Sequence, residues 1–286
     1  MIYLDNASTT FPKPQIVSKA IFDFIQNVGA NPTRGSYESS LQSDRILYLA
    51  RKSLANMIGL KDFKRVLFTL NATMAINMVL NGILEQNDIV VTTQMEHNSV
   101  KRPLNYLKEK LNLTIEIPCN KFGEIDLKTA KEMMKHSKLL VCMHTNNVIG
   151  KIIDIDILSE IAKSSNTLFL LDVAQSIGII PLEDIMQRNF LAISAHKALY
   201  APMGIVALAI SDSFDFSKLN SLILGGSGSV SESEFQPLFL PDKFESGTPN
   251  MLGIVCLKAS LEWLKEVNIQ NIYKHEQELK SILIYK

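Results

Sequence analysis

The feature that most constrains this fold is an alternation. Short apolar runs at 66–69, 89–93, 113–117, 139–144, 168–172 and 205–210 are separated by longer amphipathic stretches. Runs this short and this uniformly apolar read as strands buried on both faces, whereas TMAINMVLNGIL from Thr73 and SVKRPLNYLKEKL from Ser99 read as helices. Strands alternating with helices predict right-handed crossovers and a mostly parallel central sheet flanked by helices, the α/β class. Ligands gather at the carboxyl ends of the strands in such sheets, so the polar residues just after each apolar run are the candidates for chemistry. At 286 residues and 47% hydrophobic, the chain can bury one large core with a smaller domain appended.

Lys plus Arg (29) balance Asp plus Glu (29), so no net field favours nucleic acid or an anionic membrane. The opening MIYLDNASTT lacks the basic-then-apolar pattern of an export signal, and no apolar run approaches bilayer-spanning length; a cytoplasmic protein is expected. Cys119, Cys142 and Cys256 are odd in number and widely spaced, which argues against a disulfide framework and against a thiolate metal site. The stretch GGSGSVSESEF, 225–235, reads as a flexible loop.

Several strand-end residues could carry chemistry, and each has a plainer reading. Ser194-Ala195-His196-Lys197 follows the apolar run NFLAIS and sets an amine at a strand end; alone, Lys197 reads as a solvated loop lysine. Asp172 ends another strand with Gln175 three residues on. A strand-end Asp is often a helix cap, yet a carboxylate there can also pair with a protonated pyridine nitrogen. TLNAT, 69–73, lies between a strand and a helix, where first-turn N–H groups and the Thr73 hydroxyl can hold a phosphate or merely cap the helix. It lacks the glycine spacing of a nucleotide loop. His97 can stack on a flat ring or relay protons, or be structural. Asn147 can donate to a ring oxygen, with His144 orienting its loop.

Together the stretches YLDNASTT, NPTRGSYE, FTLNATMAIN, MEHNSV, HTNNVIG, LLDVAQSIG, SAHKALYAPMG and FESGTPN resemble the class V aminotransferase family, and within it the cysteine desulfurases. The resemblance covers essentially the whole chain. It implies the pyridoxal-phosphate-dependent transferase fold of type I, with a large domain over 14–250 and a small domain represented by 1–13 and 251–286. By the same resemblance Lys197 forms the Schiff base to pyridoxal 5'-phosphate and then moves the substrate α-proton. Asp172 pairs with the pyridine nitrogen, Gln175 bonds the phenolic oxygen, His97 stacks over the ring, and Asn147 lies near that oxygen and the substrate. Thr73 with the Ala72 backbone, Ser194 and His196 form the phosphate cup. Thr248 reaches the phosphate from the partner subunit, so a homodimer follows.

The implied reaction takes L-cysteine to L-alanine and passes the sulfur to a thiolate as persulfide, with a sulfur-acceptor protein as a further partner. In the family a C-terminal domain after FESGTPN carries that thiol and an Arg for the substrate carboxylate. This chain ends at Lys286, so most of that domain is expected to be missing, and none of the three cysteines matches the nucleophile. Arg34 is a candidate for the substrate carboxylate, with a surface or packing role as the alternative. Other class V chemistries (transamination, selenocysteine cleavage, β-elimination) stay open, as does a catalytically silent chain that keeps the cofactor fold.

Overall fold

The computed structural model describes residues 2–32, 35–111, 114–117, 119–182, 184–230 and 232–284. The apolar runs form β1 (Val66–Thr69), β2 (Val90–Thr93), β3 (Thr114–Ile117), β4 (Leu139–Met143), β5 (Leu168–Asp172) and β7 (Val206–Ile210), and the NFLAIS run forms β6 (Phe190–Ser194). They make one seven-stranded sheet in the order β1-β7-β6-β5-β4-β2-β3. The pairs within β2 to β6 are parallel, as the alternation predicts. β7, however, is antiparallel to both neighbours, β6 and β1. An apolar run has the same pattern in either direction, so the reversal left no mark in the sequence. The two reversals cancel: β1 points the same way as β2 to β6, and its carboxyl end joins theirs on one rim.

Helices cover both faces: α1 (Gln15–Asn27), α2 (Glu38–Met57), α5 (Leu127–Met134), α6 (Ile155–Ser164) and α7 (Met251–Val267) on one, α3 (Ala72–Ile83) and α4 (Asn98–Leu111) on the other. Strand side chains divide between the two by period two. Leu140 and Cys142 of β4 join a core with Leu54, Ile254 and Leu257, while Leu139 and Val141 join one with Ile76, Leu80 and Leu104. Moving each such leucine out of water contributes about 1.5–3 kcal/mol. The last helix, α8 (Ile269–Ile284), has no buried residue, and Leu279, Ile282 and Leu283 are exposed.

From β2 the chain passes outward to β3, then crosses back to β4 and proceeds through β5 to β6 on the other side. That change of direction opens a crevice between β2 and β4 at the carboxyl rim, the usual ligand position in such sheets. Among the described residues, no helix is long and apolar enough to cross a membrane.

Candidate active site at the strand ends

A cavity of about 180 Å³ opens at this rim. Ala72, Thr73, His97, Asn147, Asp172, Gln175, Ser194, His196 and Lys197 all line it, joined by Asn71, Ser99, Met143, Thr145 and Ala174, which the sequence did not single out. Thr248 lies instead on a second cavity, of about 330 Å³. Arg34 is outside the described residues.

At one end of the cavity, α3 starts at Ala72, one residue before the predicted opening, because Asn71 is its cap: the side-chain oxygen accepts the Met74 N–H at 2.8 Å. The Ala72 and Thr73 N–H groups fall in the first turn, where a helix supplies no acceptor of its own, and they carry the positive end of its dipole. Ser194, the last residue of β6, is buried beside them. His196 Nδ1 is buried and, among the described residues, has no hydrogen-bond partner. Burial lowers the His196 pKa first, with the Lys197 and Lys13 charges adding to it, so the ring is neutral near pH 7 and one nitrogen remains a donor.

His97 caps α4 with its ring. Its carbonyl accepts the Val100 and Lys101 N–H groups, and its Nδ1 accepts the Ser99 N–H at 3.1 Å and lies 2.9 Å from Ser99 Oγ. A nitrogen accepting a backbone N–H must present its lone pair, which places the neutral ring's proton on Nε2. The cap thus fixes tautomer and orientation together.

In the same cavity the Asp172 carboxylate, 7% exposed, accepts the Ala174 N–H at 2.9 Å. Burial raises its pKa; the Ala174 hydrogen bond and the Lys197 and His97 charges oppose that. Lys197 responds in kind: burial lowers its pKa and Asp172 partly restores it. A lysine depressed in this way keeps more of its amine unprotonated and able to attack a carbonyl. Gln175 Nε2 donates to the Ala7 oxygen at 3.0 Å. Asn147 is exposed on a turn shaped by its buried neighbour Asn146, whose Oδ1 accepts the Val148 and Ile149 N–H groups and whose Nδ2 donates to the Met95 oxygen.

Glu96 was missed by the sequence reading. It is buried beside His97, accepts the Thr93 hydroxyl at 2.5 Å, and burial raises its pKa to about 8, so it is an uncharged acid at neutral pH. Within the polar string MEHNSV a glutamate has no local mark of burial; β4 and Thr93 enclose it.

The turn after β5 packs tightly on the lysine loop. A Cβ on Gly178 (φ +88°) would meet the Ala198 oxygen at 2.4 Å, so only glycine allows this approach. Thr248, by contrast, is exposed between two anchors. On one side Glu245 forms a fork with Arg51 (Nη1–Oε1 2.7 Å, Nη2–Oε2 2.9 Å) and accepts the Phe68 N–H at 2.6 Å. Arg51 also donates to the Val66 oxygen and stacks over Phe68. On the other side Asn250 caps α7 through the Gly253 N–H (3.1 Å) and donates to the Gly204 oxygen (2.8 Å).

Anion donors, an acid and a pKa-lowered amine in one cavity fit a small aromatic ampholyte with a phosphate and a basic ring nitrogen. The unpartnered His196 nitrogen is the observation that tests this fit: a buried polar atom without a partner is costly, and a phosphate oxygen would supply one. The volume also suits one ring with one phosphate, being below the roughly 300 Å³ at which sites for drug-sized ligands begin. Among the described residues no group of His, Cys, Asp or Glu is placed to hold a metal ion.

A family model described as class V aminotransferase matches residues 2–286. A probable cysteine desulfurase of Pyrococcus abyssi is 32% identical over 98% of this chain and 71% of its own length. One from Borreliella burgdorferi is 31% identical over 98% and 69%. The solved apo structure of cysteine desulfurase from Thermococcus onnurineus superposes with a TM-score of 0.92 at 31% identity, covering 98% of this chain and 71% of that one.

Proposed function

The chain belongs to the class V aminotransferase family, whose members depend on pyridoxal phosphate, and from that membership we propose that Lys197 bears the cofactor and that the substrate is L-cysteine. The observation that carries the site assignment is the convergence of Lys197, Asp172, His97 and the first turn of α3 on one cavity. The similarity to cysteine desulfurases at 31–32% identity over nearly the whole chain supports the substrate.

When bound, the cofactor supplies an aldehyde that condenses with amines and a ring that takes up the electrons left when a substrate α-proton departs. The rest is done by this chain's residues. Ala72, Thr73, Ser194 and His196 would hold the phosphate, and Asp172 would keep the ring nitrogen protonated. His97, with its tautomer set by Ser99, would contribute a flat face to the ring. Gln175 and Asn147 would donate to the ring's oxygen substituent. Lys197, whose amine burial makes harder to protonate than a free lysine, would take the substrate α-proton and return one. In the overall reaction the Cβ–S bond of cysteine breaks, sulfur passes to a thiolate, and Cβ gains a proton to give alanine.

None of Cys119, Cys142 or Cys256 lines the cavity, and burial raises the thiol pKa of both Cys142 and Cys256, the latter to about 11. A thiol that stays protonated is a poor sulfur acceptor. The receiving thiolate is therefore not assigned to Cys142 or Cys256, and a sulfur-acceptor protein remains a further partner in the proposal. Homodimerisation belongs to the same proposal: exposed Thr248, which does not line the Lys197 cavity, would serve a partner's phosphate, and exposed Leu224, Phe235 and Leu238 offer apolar contact area. So does the division into a large domain at 14–250 and a small domain at 1–13 and 251–286; α8 supports it most directly, and α7 ties it to the main core. A cytoplasmic location completes the reading.

The test is to add pyridoxal phosphate, record the imine band, reduce with borohydride and locate the label, then assay alanine and sulfide from L-cysteine with excess dithiothreitol. Label at Lys197 with both products in equal amounts supports the whole reading. Label without products retains the cofactor site and removes the substrate, and label elsewhere removes both.

A further inference from the structure

Two peptide oxygens beside Lys197 collect donors from the opposite end of the chain. The His196 oxygen accepts the Thr10 N–H (3.2 Å), Thr9 Oγ1 (2.9 Å) and Lys13 Nζ (3.2 Å), with Thr10 Oγ1 3.3 Å away and closer to the Lys197 oxygen. The Lys197 oxygen accepts Thr10 Oγ1 (2.9 Å) and the Tyr200 N–H (2.9 Å). A carbonyl has two lone pairs, so this gathering around His196 exceeds what satisfying one buried oxygen requires.

The two oxygens belong to the peptide planes on either side of the Lys197 Cα. Because each plane is rigid and only φ and ψ lie between them, holding both planes fixes the direction in which the lysine side chain leaves the backbone. The segment that holds them is itself braced. Tyr3 donates to the Thr9 oxygen at 2.8 Å, Asn6 Oδ1 accepts the Phe11 N–H at 3.0 Å, and Lys13 Nζ also bonds the Thr10 oxygen and hydroxyl at 3.0 Å each. Thr10 is buried. From the same segment the Ala7 oxygen takes one N–H of the Gln175 amide, leaving the other for the cavity that Gln175 lines.

We propose that residues 7–13 form the positioning element of the site: Thr9, Thr10 and Lys13 set the backbone on which Lys197 stands, and the Ala7 oxygen orients Gln175. This rests on the reading of Lys197 as the cofactor-bearing lysine. Simple packing of a terminal segment would need neither the convergence on these two oxygens nor the charge of Lys13. The hydroxyl and the ammonium act through the backbone, so their loss moves the amine without removing any group that touches the cofactor.

The experiment compares Thr10→Val and Lys13→Met with wild type and with Thr10→Ser, which keeps the hydroxyl. In the cofactor-free chain, trace acetylation with acetic anhydride across a pH series, read by peptide mass, gives the reactivity of Lys197 against exposed Lys280. Stopped-flow absorbance after adding pyridoxal phosphate gives the rate of imine formation. Both variants are expected to shift the pH midpoint for Lys197 acetylation and to slow imine formation roughly tenfold, within the hundredfold that a displacement of about 1 Å can cost. Lys280 and the thermal midpoint should stay as in wild type, and Thr10→Ser should restore Lys197. Wild-type acetylation and imine rates in both variants would overturn the proposal. So would losses that follow the thermal midpoint and are not restored by serine. If Thr10→Val fails to fold, Lys13→Met, which leaves both hydroxyls in place, decides. A wild-type chain that forms no imine sinks the cofactor reading, while the acetylation contrast still judges the segment.

Discussion

Around Lys197, side chains are placed by the ends of β2, β4, β5 and β6 and by the first turn of α3, so their relative positions come from a sheet buried on both faces. Thr248 itself stands on a loop beside the edge strand β1, and that loop's backbone is held by the Arg51–Glu245 fork, the Asn250 cap and a Gly247 N–H bond to the Gly226 oxygen at 2.7 Å. One region spreads its positioning over many apolar contacts; the other concentrates it in a few polar ones. The first should tolerate loss of a functional group without structural consequence, whereas the second should not tolerate loss of an anchor.

Lys197→Ala separates the two most sharply. Labelling by pyridoxal phosphate at this position should vanish and sulfur release fall by more than about a thousandfold, as expected when a covalent group is removed, with the urea midpoint close to wild type. A large fall in that midpoint would show that the lysine loop also holds the carboxyl rim of the sheet together. Glu245→Ala is the converse experiment. Leaving Arg51 buried without its carboxylate should cost about 3 kcal/mol in urea unfolding while cofactor still labels Lys197 in the folded fraction. A cost below about 1 kcal/mol would mean that the fork is as weak as a surface pair.

The strand-end region has its own vulnerability, at Glu96. Its folded pKa of about 8 lies above the ordinary 4.5, so between these values the unfolded chain releases a proton that the folded chain keeps. Stability from this group therefore falls as pH rises from about 4.5 to about 8 and levels above that. Glu96→Gln should flatten the dependence and be roughly 2 kcal/mol more stable than wild type at pH 8, since relaxation and water entry offset much of the burial cost. Thermal melts over this range test it, and an unchanged slope would assign the dependence elsewhere. The smallest effect is expected for Asn71→Ala, about 1 kcal/mol from loss of the α3 cap. Phosphate competition for cofactor binding would show whether the cap also shapes the anion end.

This contrast also sorts what the sequence could reveal. Asp172 and Lys197 were legible because an apolar run that stops at a polar residue marks a strand end, and strand ends in a parallel sheet share a rim. Thr73 was legible as the opening of a helix, with the boundary displaced by one residue because Asn71 was not recognised as the cap. Glu96 was not legible, since its burial depends on β4 rather than on its neighbours in sequence. Nor were the antiparallel course of β7 and the contacts of Thr9, Thr10 and Lys13. Strand direction leaves no periodic trace, and hydrogen bonds to a backbone nearly two hundred residues away have no local signature.

β1 lies at the sheet edge and pairs with β7 alone. During synthesis, residues 66–69 must therefore await 206–210, a delay of roughly seven to thirty seconds at about 5–20 residues per second. β7 is thus the clasp between two halves of the site: through it the edge that carries the α3 anion donors is joined to β6, at whose end Lys197 stands.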